Sequence, residues 1–246
     1  MRAMILAAGL GTRLRPLTSD RPKALVEING RTLLELALTR LRLSGIREVI
    51  INVHHFPQMI ADYLKVNHNF GLNVEISPET ELLDTGGGLK KAAHFFLQNR
   101  IDEPFLLHNV DVISSIDFAR MVETHARNRA LATLAIQRRE TSRYLLFDGR
   151  LQLCGRRSAG NRDEIVRPVA DPQALAFCGI HVISPRIFPM MPAEGAFSII
   201  TKYLQLAEQG ESISGFVADE YYWRDLGKPE SVRRAAADLQ AGLIPQ

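Results

Sequence analysis

Short apolar runs alternate with segments whose apolar residues recur every three to four positions, and the alternation is sustained through the first half of the chain. Strand-like runs occupy residues 2–7, with 4–7 the most apolar part, then 48–53, 73–76 and 105–108. Between the first two, Leu33, Leu34, Ala37, Leu38 and Leu41 recur at helical spacing and stop at Gly45, a helix-terminating residue. A second helix is expected over about residues 57–66, opening with a proline in its first turn. Strands separated by helices require right-handed crossovers, so the pattern predicts an α/β fold: a mostly parallel, Rossmann-like central sheet with helices on both faces. Ligands of such sheets sit beyond the carboxyl ends of the strands. The glycine loop after the first strand, the run Thr85-Gly86-Gly87-Gly88 and Asp111 all fall there.

After about residue 130 the pattern changes. Residues 131–137 read as a strand, and 144–147 with 150–153 as a hairpin around the turn former Asp148-Gly149. Residues 161–171 are polar and loop-like, 177–183 return as a strand, 198–208 as a helix, 221–224 as a short strand and 229–239 as a closing helix. With no clean linker and no internal repeat, the expectation is one domain over 1–246, with a larger first half to about 130 and a smaller C-terminal subdomain from about 131.

Composition narrows the classes of function. The chain has 246 residues, 46% hydrophobic and 23% charged, ordinary values for a globular enzyme. Net charge is only +3, and the short basic runs Gln137-Arg138-Arg139 and Arg156-Arg157 read as solvated surface, so no nucleic-acid partner is expected. No apolar run reaches the roughly 18 residues of a membrane span, so no membrane partner is expected either. The chain opens directly on a core strand with no leader, and its two cysteines, Cys154 and Cys178, lie far apart without CxxC spacing. A cytoplasmic protein with reduced thiols follows as the expectation. His54-His55 and His125 have no metal-ligand spacing, and His108 and His181, on strands, read as buried imidazoles.

The densest chemistry is ILAAGLGTRLRPLTSDRPKAL at residues 5–25. A strand ending at Ala7-Ala8-Gly9-Leu10-Gly11-Thr12-Arg13 exposes backbone N–H groups to an anion with little side-chain obstruction. Arg13 offers a planar fork to phosphate oxygens, and Lys23, after Pro22, adds a compact charge. A dinucleotide fingerprint needs a small residue where Leu14 stands, and a Walker loop needs Gly-Lys-Ser/Thr, which the chain lacks. The remaining string, AAGLGTRLRPLT followed by RPKAL at the N-terminus of an α/β chain, resembles the signature of the sugar-1-phosphate nucleotidyltransferases. These enzymes join a nucleoside triphosphate to a sugar 1-phosphate and release pyrophosphate.

That resemblance covers essentially the whole chain and implies a nucleotide-binding half to about residue 130 and a sugar-binding half after it. It implies nucleotide contacts at Ala8, Gly9, Gly11, Thr12, Arg13, Lys23, Glu79, Gly86 and Asn109, with Arg13 and Lys23 catalytic. Phosphoryl chemistry calls for a divalent cation on oxygen ligands. Asp111, in HNVDV, and Asp225, in YYWRDLG, match the family's Mg²⁺-holding aspartates, although Val110 stands where glycine or serine is usual. Three successive glycines are costly in a helix, about 1 kcal/mol each relative to alanine, so something is expected to approach Gly86-Gly87-Gly88 closely; the family suggests a flat base, its edge read by Glu79.

Sugar contacts are implied at Asn109, Glu164 and Gly179, the last in FCGIHV. The family's Glu-Lys-Pro is only loosely matched by Glu164 with Arg167-Pro168, and Thr201 replaces a usual aspartate. The SPE…LDTGGG segment favours an N-acetylmuramate 1-phosphate uridylyltransferase, with mannose or heptose 1-phosphate guanylyltransferases as the alternative. A choline-type cytidylyltransferase would need an ammonium site, for which only Tyr221, Tyr222 and Trp223 form an aromatic cluster. A non-catalytic nucleotide-sugar sensor would be expected to have lost Arg13, Lys23 or an aspartate, and all four residues are present. Oligomeric state is left open.

Overall fold

The computed structural model describes residues 1–98, 102–158, 160 and 162–244. In chain order, β1 (Arg2–Leu6) is followed by a small hairpin, β2 (Glu27–Ile28) and β3 (Arg31–Thr32), and by α1 (Leu33–Leu43), β4 (Glu48–Val53) and α2 (Pro57–Val66). Then come β5 (Asn73–Pro78), α3 (Asp84–Lys91), α4 (Ala93–Leu97), β6 (Phe105–Asn109), β7 (Val112–Ser114) and α5 (Phe118–Arg127). The second half adds β8 (Ala132–Gln137), β9 (Arg143–Phe147), β10 (Leu153–Ser158), β11 (Glu164–Ile165) and β12 (Gln173–Ile183). It closes with α6 (Ile199–Glu208), β13 (Ile213–Val217), β14 (Trp223–Asp225) and α7 (Pro229–Gln240).

The main sheet has ten strands in the order β11-β10-β9-β12-β6-β1-β4-β5, with β8 beside β12 and β13 beside β8. Strands β5, β4, β1 and β6 pair in parallel, as do β8 and β13. β12 joins antiparallel to β6, β8 and β9, and β10 antiparallel to β9 and β11, so only β10 and β12 oppose the direction of the rest. The expected mostly parallel α/β sheet is therefore present.

Side-chain alternation explains why helices cover both faces. Ala3 and Ile5 of β1, with Val49, Ile51 and Val53 of β4, pack with Leu34, Leu38 and Leu41 of α1, Ile60 and Leu64 of α2, and Phe118 and Met121 of α5. Met4 and Ile50, one residue out of phase, pack on the other face with Leu89, Phe95, Phe96 and Leu204. The helix α1 starts where the sequence predicts because the Thr32 hydroxyl accepts the Glu35 N–H at 3.0 Å, capping its first turn. A third, smaller core of Leu14, Val26, Ile28, Leu33, Ile113, Leu226, Val232 and Ala235 ties the glycine loop to β7, β14 and α7.

Several expectations need correction. The hairpin over 144–153 is real, but its second strand begins at Leu153, not at residue 150. The Asp148 carboxylate accepts the N–H groups of Arg150 and Gln152, both at 2.8 Å, and Leu151 is left-handed (φ 57°), which makes a longer loop than a two-residue turn. The polar run 161–171 contains the short β11; its first residue, Asn161, lies outside the described residues. The 177–183 strand is extended to Gln173–Ile183, with a register shift between Phe177 and His181. The short strand near residue 221 is Trp223–Asp225. Among the described residues no helix is long and apolar enough to cross a membrane.

Candidate active site

The glycine loop leaves the sheet at the carboxyl end of β1, between β4 and β6. Its take-off is fixed from both sides: the Ala7 N–H donates to Asn52 Oδ1 at 2.8 Å, and the Val110 N–H donates to Leu6 O at 3.1 Å. Gly11 is left-handed (φ 65°), and a Cβ there would meet Thr18 Cγ2 at 3.0 Å and Lys23 Cβ at 3.2 Å. The Thr18 hydroxyl donates to Gly11 O at 2.8 Å, so the loop folds back over the Lys23 turn. Leu14, the residue that excludes a dinucleotide fingerprint, is fully buried in the third core and anchors the loop. Arg13 next to it remains exposed.

Asp111 and Asp225 are far apart in sequence and adjacent in space because β7 and β14 pair antiparallel, with Asp225 opposite Val112. The Leu226 N–H donates to Asp111 O at 2.8 Å and continues that ribbon. Lys23 Nζ forms an ion pair with Asp111 Oδ2, both side chains being largely buried. Asp225 Oδ1 accepts the Gly227 N–H at 2.9 Å. A Cβ on Gly227 would stand 2.8 Å from Asp225 Oδ1 and 2.9 Å from Arg13 Nη2, so glycine there lets the guanidinium approach the carboxylate. Burial, and then the neighbouring Asp111 charge, push the Asp225 carboxyl above the usual range against the opposing pull of the Gly227 N–H, Lys23 and Arg13. Two carboxylates and two cations thus converge, with only hard oxygen donors on the acidic side. That donor set suits Mg²⁺, which is commonly held by one or two carboxylates together with substrate phosphates. Among the described residues there is no cluster of three or more His, Cys, Asp or Glu that could form an all-protein metal cage.

Arg13, Lys23, Asp111 and Gly227 line a cleft of about 500 Å³, with Asp225 held beside them by its bond to the Gly227 N–H. Ala8, Gly9, Gly11, Thr12, Arg13, Lys23, Glu79, Asn109 and Asp111 all face it. Leu10 and Leu82, 41% and 42% exposed, add apolar walls that the sequence reading did not single out. Asn52 was also missed; it is a buried polar residue inside an apolar strand, and that is the signal that could have found it. Its Oδ1 holds the glycine loop while its Nδ2 donates to Glu79 Oε1 at 2.7 Å. Glu79 Oε2 accepts the Leu83 N–H at 3.1 Å, so this carboxylate also braces the segment leading into α3.

Gly86 does not reach the cleft wall. Its N–H donates to Phe197 O at 2.8 Å, and a Cβ on it would fall 2.3 Å from Phe197 Cε2. Cβ atoms at Gly87 and Gly88 would fall 2.5 Å from Gly195 O and 2.6 Å from Glu79 Oε1. On the side where a Cβ would stand, the close neighbours of the glycine triplet are therefore the 195–197 segment and the Glu79 brace, while Asp84 and Thr85 just before it line the cleft.

On the opposite side Gly179 is left-handed (φ 73°) inside the β12 irregularity, and its missing Cβ leaves room for Asn109 Nδ2, which would lie 2.8 Å away. Glu164 is not brought to this place. It lies on β11, the far edge strand, pairs with Arg156 at 2.6 Å and is exposed. Four strand spacings of about 4.8 Å separate that strand from β6. Arg139, expected as solvated surface, is instead half-buried, with its guanidinium 3.7 Å from the centre of the Trp223 ring. His108 and His181 are buried as expected: burial holds them down at about 4 and about 3, and their Nδ1 atoms bond Asn109 O (2.8 Å) and the Tyr203 hydroxyl (3.0 Å).

A glycine loop with two cations, a carboxylate pair and a nucleotide-sized cleft at the carboxyl ends of parallel strands define a phosphate-handling α/β transferase. The chain belongs to the nucleotidyl transferase family, whose profile matches residues 2–242, and its relatives place it among the sugar-1-phosphate nucleotidyltransferases. It is 32% identical over 246 residues to an N-acetylmuramate alpha-1-phosphate uridylyltransferase of Caulobacter vibrioides, covering 96% of each chain. It is 31% identical over 233 residues to a mannose-1-phosphate guanyltransferase of Yarrowia lipolytica, covering 94% of this chain but only 61% of that longer protein. The fold is shared with HddC from Yersinia pseudotuberculosis, solved with GMP-PN, at a TM-score of 0.77 and 22% identity, over 97% of this chain and 99% of that one.

Proposed function

We propose that the chain transfers a nucleotidyl group from a nucleoside triphosphate to a sugar 1-phosphate, with UTP and N-acetylmuramate 1-phosphate as substrates. A sugar 1-phosphate oxygen attacks the α-phosphorus, a new P–O bond forms, and the bond to the β-phosphate breaks to release pyrophosphate. The nucleophile is already an anion, so no strong general base is required, and rate comes from positioning and charge neutralisation. The observation that carries this reading is the convergence of Arg13, Lys23, Asp111 and Asp225 beside a cleft with apolar walls at Leu10 and Leu82.

In this reading the loop N–H groups from Ala8 to Thr12 cradle the triphosphate, and Arg13 clamps the departing pyrophosphate. Lys23 exchanges its Asp111 partner for phosphate oxygens of both substrates. The base lies between Leu10 and Leu82 beside the Glu79 brace, while Asn109 and Gly179 flank the sugar. Asp111 and Asp225 hold Mg²⁺, which when bound neutralises phosphate charge and polarises the reacting phosphoryl group. Asp225, disfavoured as a buried anion beside Asp111, gains most from that cation. The whole chain acts as one catalytic domain, and a cytoplasmic setting supplies its nucleotides; its two cysteines are buried free thiols.

Length separates the chain from the longer Yarrowia mannose enzyme but not from a heptose 1-phosphate guanylyltransferase of Aneurinibacillus thermoaerophilus, matched over 99% of its length at 29% identity, so the preference for uridylyl transfer rests on the 32% identity to the Caulobacter relative and on the SPE…LDTGGG segment. A guanylyltransferase acting on mannose or heptose 1-phosphate is the alternative. A pyrophosphate-release assay crossing UTP, GTP, CTP and dTTP with N-acetylmuramate, mannose, heptose and glucose 1-phosphates tests the reading. Release with UTP and N-acetylmuramate 1-phosphate above every other pair is expected. A preference for GTP moves the chain to the alternative, and silence across the grid from folded protein removes the transferase reading.

A further inference from the structure

Arg139 is a half-buried cation without a carboxylate partner among the described residues. Its guanidinium stacks on Trp223 with 3.7 Å from Cζ to the ring centre, and Nη2 donates to Phe177 O at 2.8 Å. Its Nε is buried without a hydrogen-bond partner, and no carboxylate pairs with it among the described residues. Burial depresses its pKa, so the fold holds this charge at a cost that a surface arginine avoids. The same ring's Nε1–H donates to Cys178 O at 2.7 Å. Arg139 and Trp223 therefore cap the two successive carbonyls that precede the left-handed Gly179, next to Asn109.

The position relative to the carboxylates is equally specific. Trp223 and Asp225 lie two residues apart on β14, so they share a face of that strand, about 7 Å apart along it. A guanidinium stacked on the ring stands beside the acidic pair without joining it. Its charge is felt by Asp225, and the Phe177 carbonyl it caps lies two residues before Gly179, whose missing Cβ makes room for Asn109 of the cleft wall. Arg139 thus presents a pre-oriented fork that no carboxylate neutralises among the described residues, and a planar fork fits the oxygens of a phosphate or carboxylate.

We propose that Arg139 is a specificity-determining residue that binds an oxyanion of the acceptor sugar, either its 1-phosphate or a carboxylate on the ring substituent. The inference rests on the transferase reading above and adds a residue outside the family signature. Because Trp223 is the chain's single tryptophan, its fluorescence reports directly on the stacked guanidinium.

The test compares wild type with Arg139→Met and Arg139→Lys, the second keeping charge and a donor for Phe177 O so that folding is protected. Sugar 1-phosphates with and without a carboxylate are assayed, and Trp223 emission is titrated with each sugar 1-phosphate in the presence of a non-hydrolysable nucleotide. Acceptor KM is expected to rise about 10-fold in Arg139→Lys and up to about 100-fold in Arg139→Met, the range for losing a hydrogen bond to a charged group. The triphosphate KM stays within about twofold, and the emission change on adding acceptor is lost. An equal rise for both sugars assigns the phosphate, and a rise confined to the acidic sugar assigns the carboxylate. An unshifted acceptor KM in both variants of an active enzyme overturns the inference alone. A wild type that turns over no sugar 1-phosphate removes the reading beneath it, and the inference falls with it.

Discussion

At the scale of single residues, the site is a balance of charges set up before substrate arrives. Lys23 occupies Asp111, and Arg13 reaches over Gly227 toward Asp225. Lys23→Ala removes the charge that the proposed reaction sets against both substrates, and turnover is expected to fall at least about a hundredfold, the scale for losing one charge-stabilising group; steady-state kinetics on folded protein checks this. Asp225 is the more revealing position. Its carboxyl is raised by burial and by Asp111, so the ionised form is less comfortable in the fold than in the unfolded chain. Stability from this group is therefore present at low pH and is lost as pH rises through its folded pKa. Asp225→Asn, which keeps an oxygen for the Gly227 N–H, is expected to raise the melting temperature of the metal-free protein at pH 8 while lowering turnover at least about a hundredfold. A lower melting temperature would mean that the ionised carboxylate stabilises the fold, contrary to this reading.

At the scale of elements, the β7–β14 ribbon and the third core do the positioning, and the glycine triplet of α3 shows how packing and ligand contact can be confused. An alanine inside an ordinary helix gains about 1 kcal/mol over glycine. At Gly86 a Cβ would meet Phe197 O at 2.8 Å and the Phe197 ring closer still. Overpacking costs about 1–3 kcal/mol and outweighs that gain. Gly86→Ala is expected to lower stability by that amount in urea unfolding, with the triphosphate KM changed less than about threefold. A raised KM at unchanged stability would return the triplet to the base. The position of the glycine loop at a strand end was legible because its signals are contiguous, and that of both aspartates because each follows an apolar run. Gly86 and Glu164 lie away from the cleft wall, which chain position could not reveal because it does not show what packs on a residue or which sheet edge it joins. Arg139 was read as surface because its partner, Trp223, is reached only through the fold. The strand β13 was missed because Ser214 and Gly215 interrupt its apolar pattern, although Ser214 is fully buried and a Cβ on Gly215 would meet Ile136 Cδ1 at 2.4 Å.

At the scale of the whole molecule, the α/β plan of the first half followed from periodicity, while the attachment of the second half did not. β12 reverses direction and links β6 to both β8 and β9, a pairing that no local pattern encodes. Buried within this joint are His108, His125 and His181, held neutral by burial at about 4, about 4 and about 3. His125 bonds the Thr133 hydroxyl at 3.0 Å and the Ser184 hydroxyl at 2.9 Å. A histidine whose pKa is depressed by folding contributes stability above its unfolded value near 6.5 and loses it as pH falls toward the folded value. Unfolding free energies from urea titration are therefore expected to drop steadily between pH 6.5 and 4, by up to about 1.4 kcal/mol per pH unit for each histidine, with the urea midpoint falling in step. A flat profile over that window would place these imidazoles in contact with water. The central claim is that the α-phosphorus of a nucleoside triphosphate moves to a sugar phosphate, and isotope tracing tests it most directly. With UTP labelled at either the α- or the γ-phosphate and N-acetylmuramate 1-phosphate as acceptor, the account predicts the α label in a sugar nucleotide and the γ label in pyrophosphate, in equal amounts. The γ label on the sugar, or the α label left in free nucleotide while pyrophosphate accumulates, would contradict it.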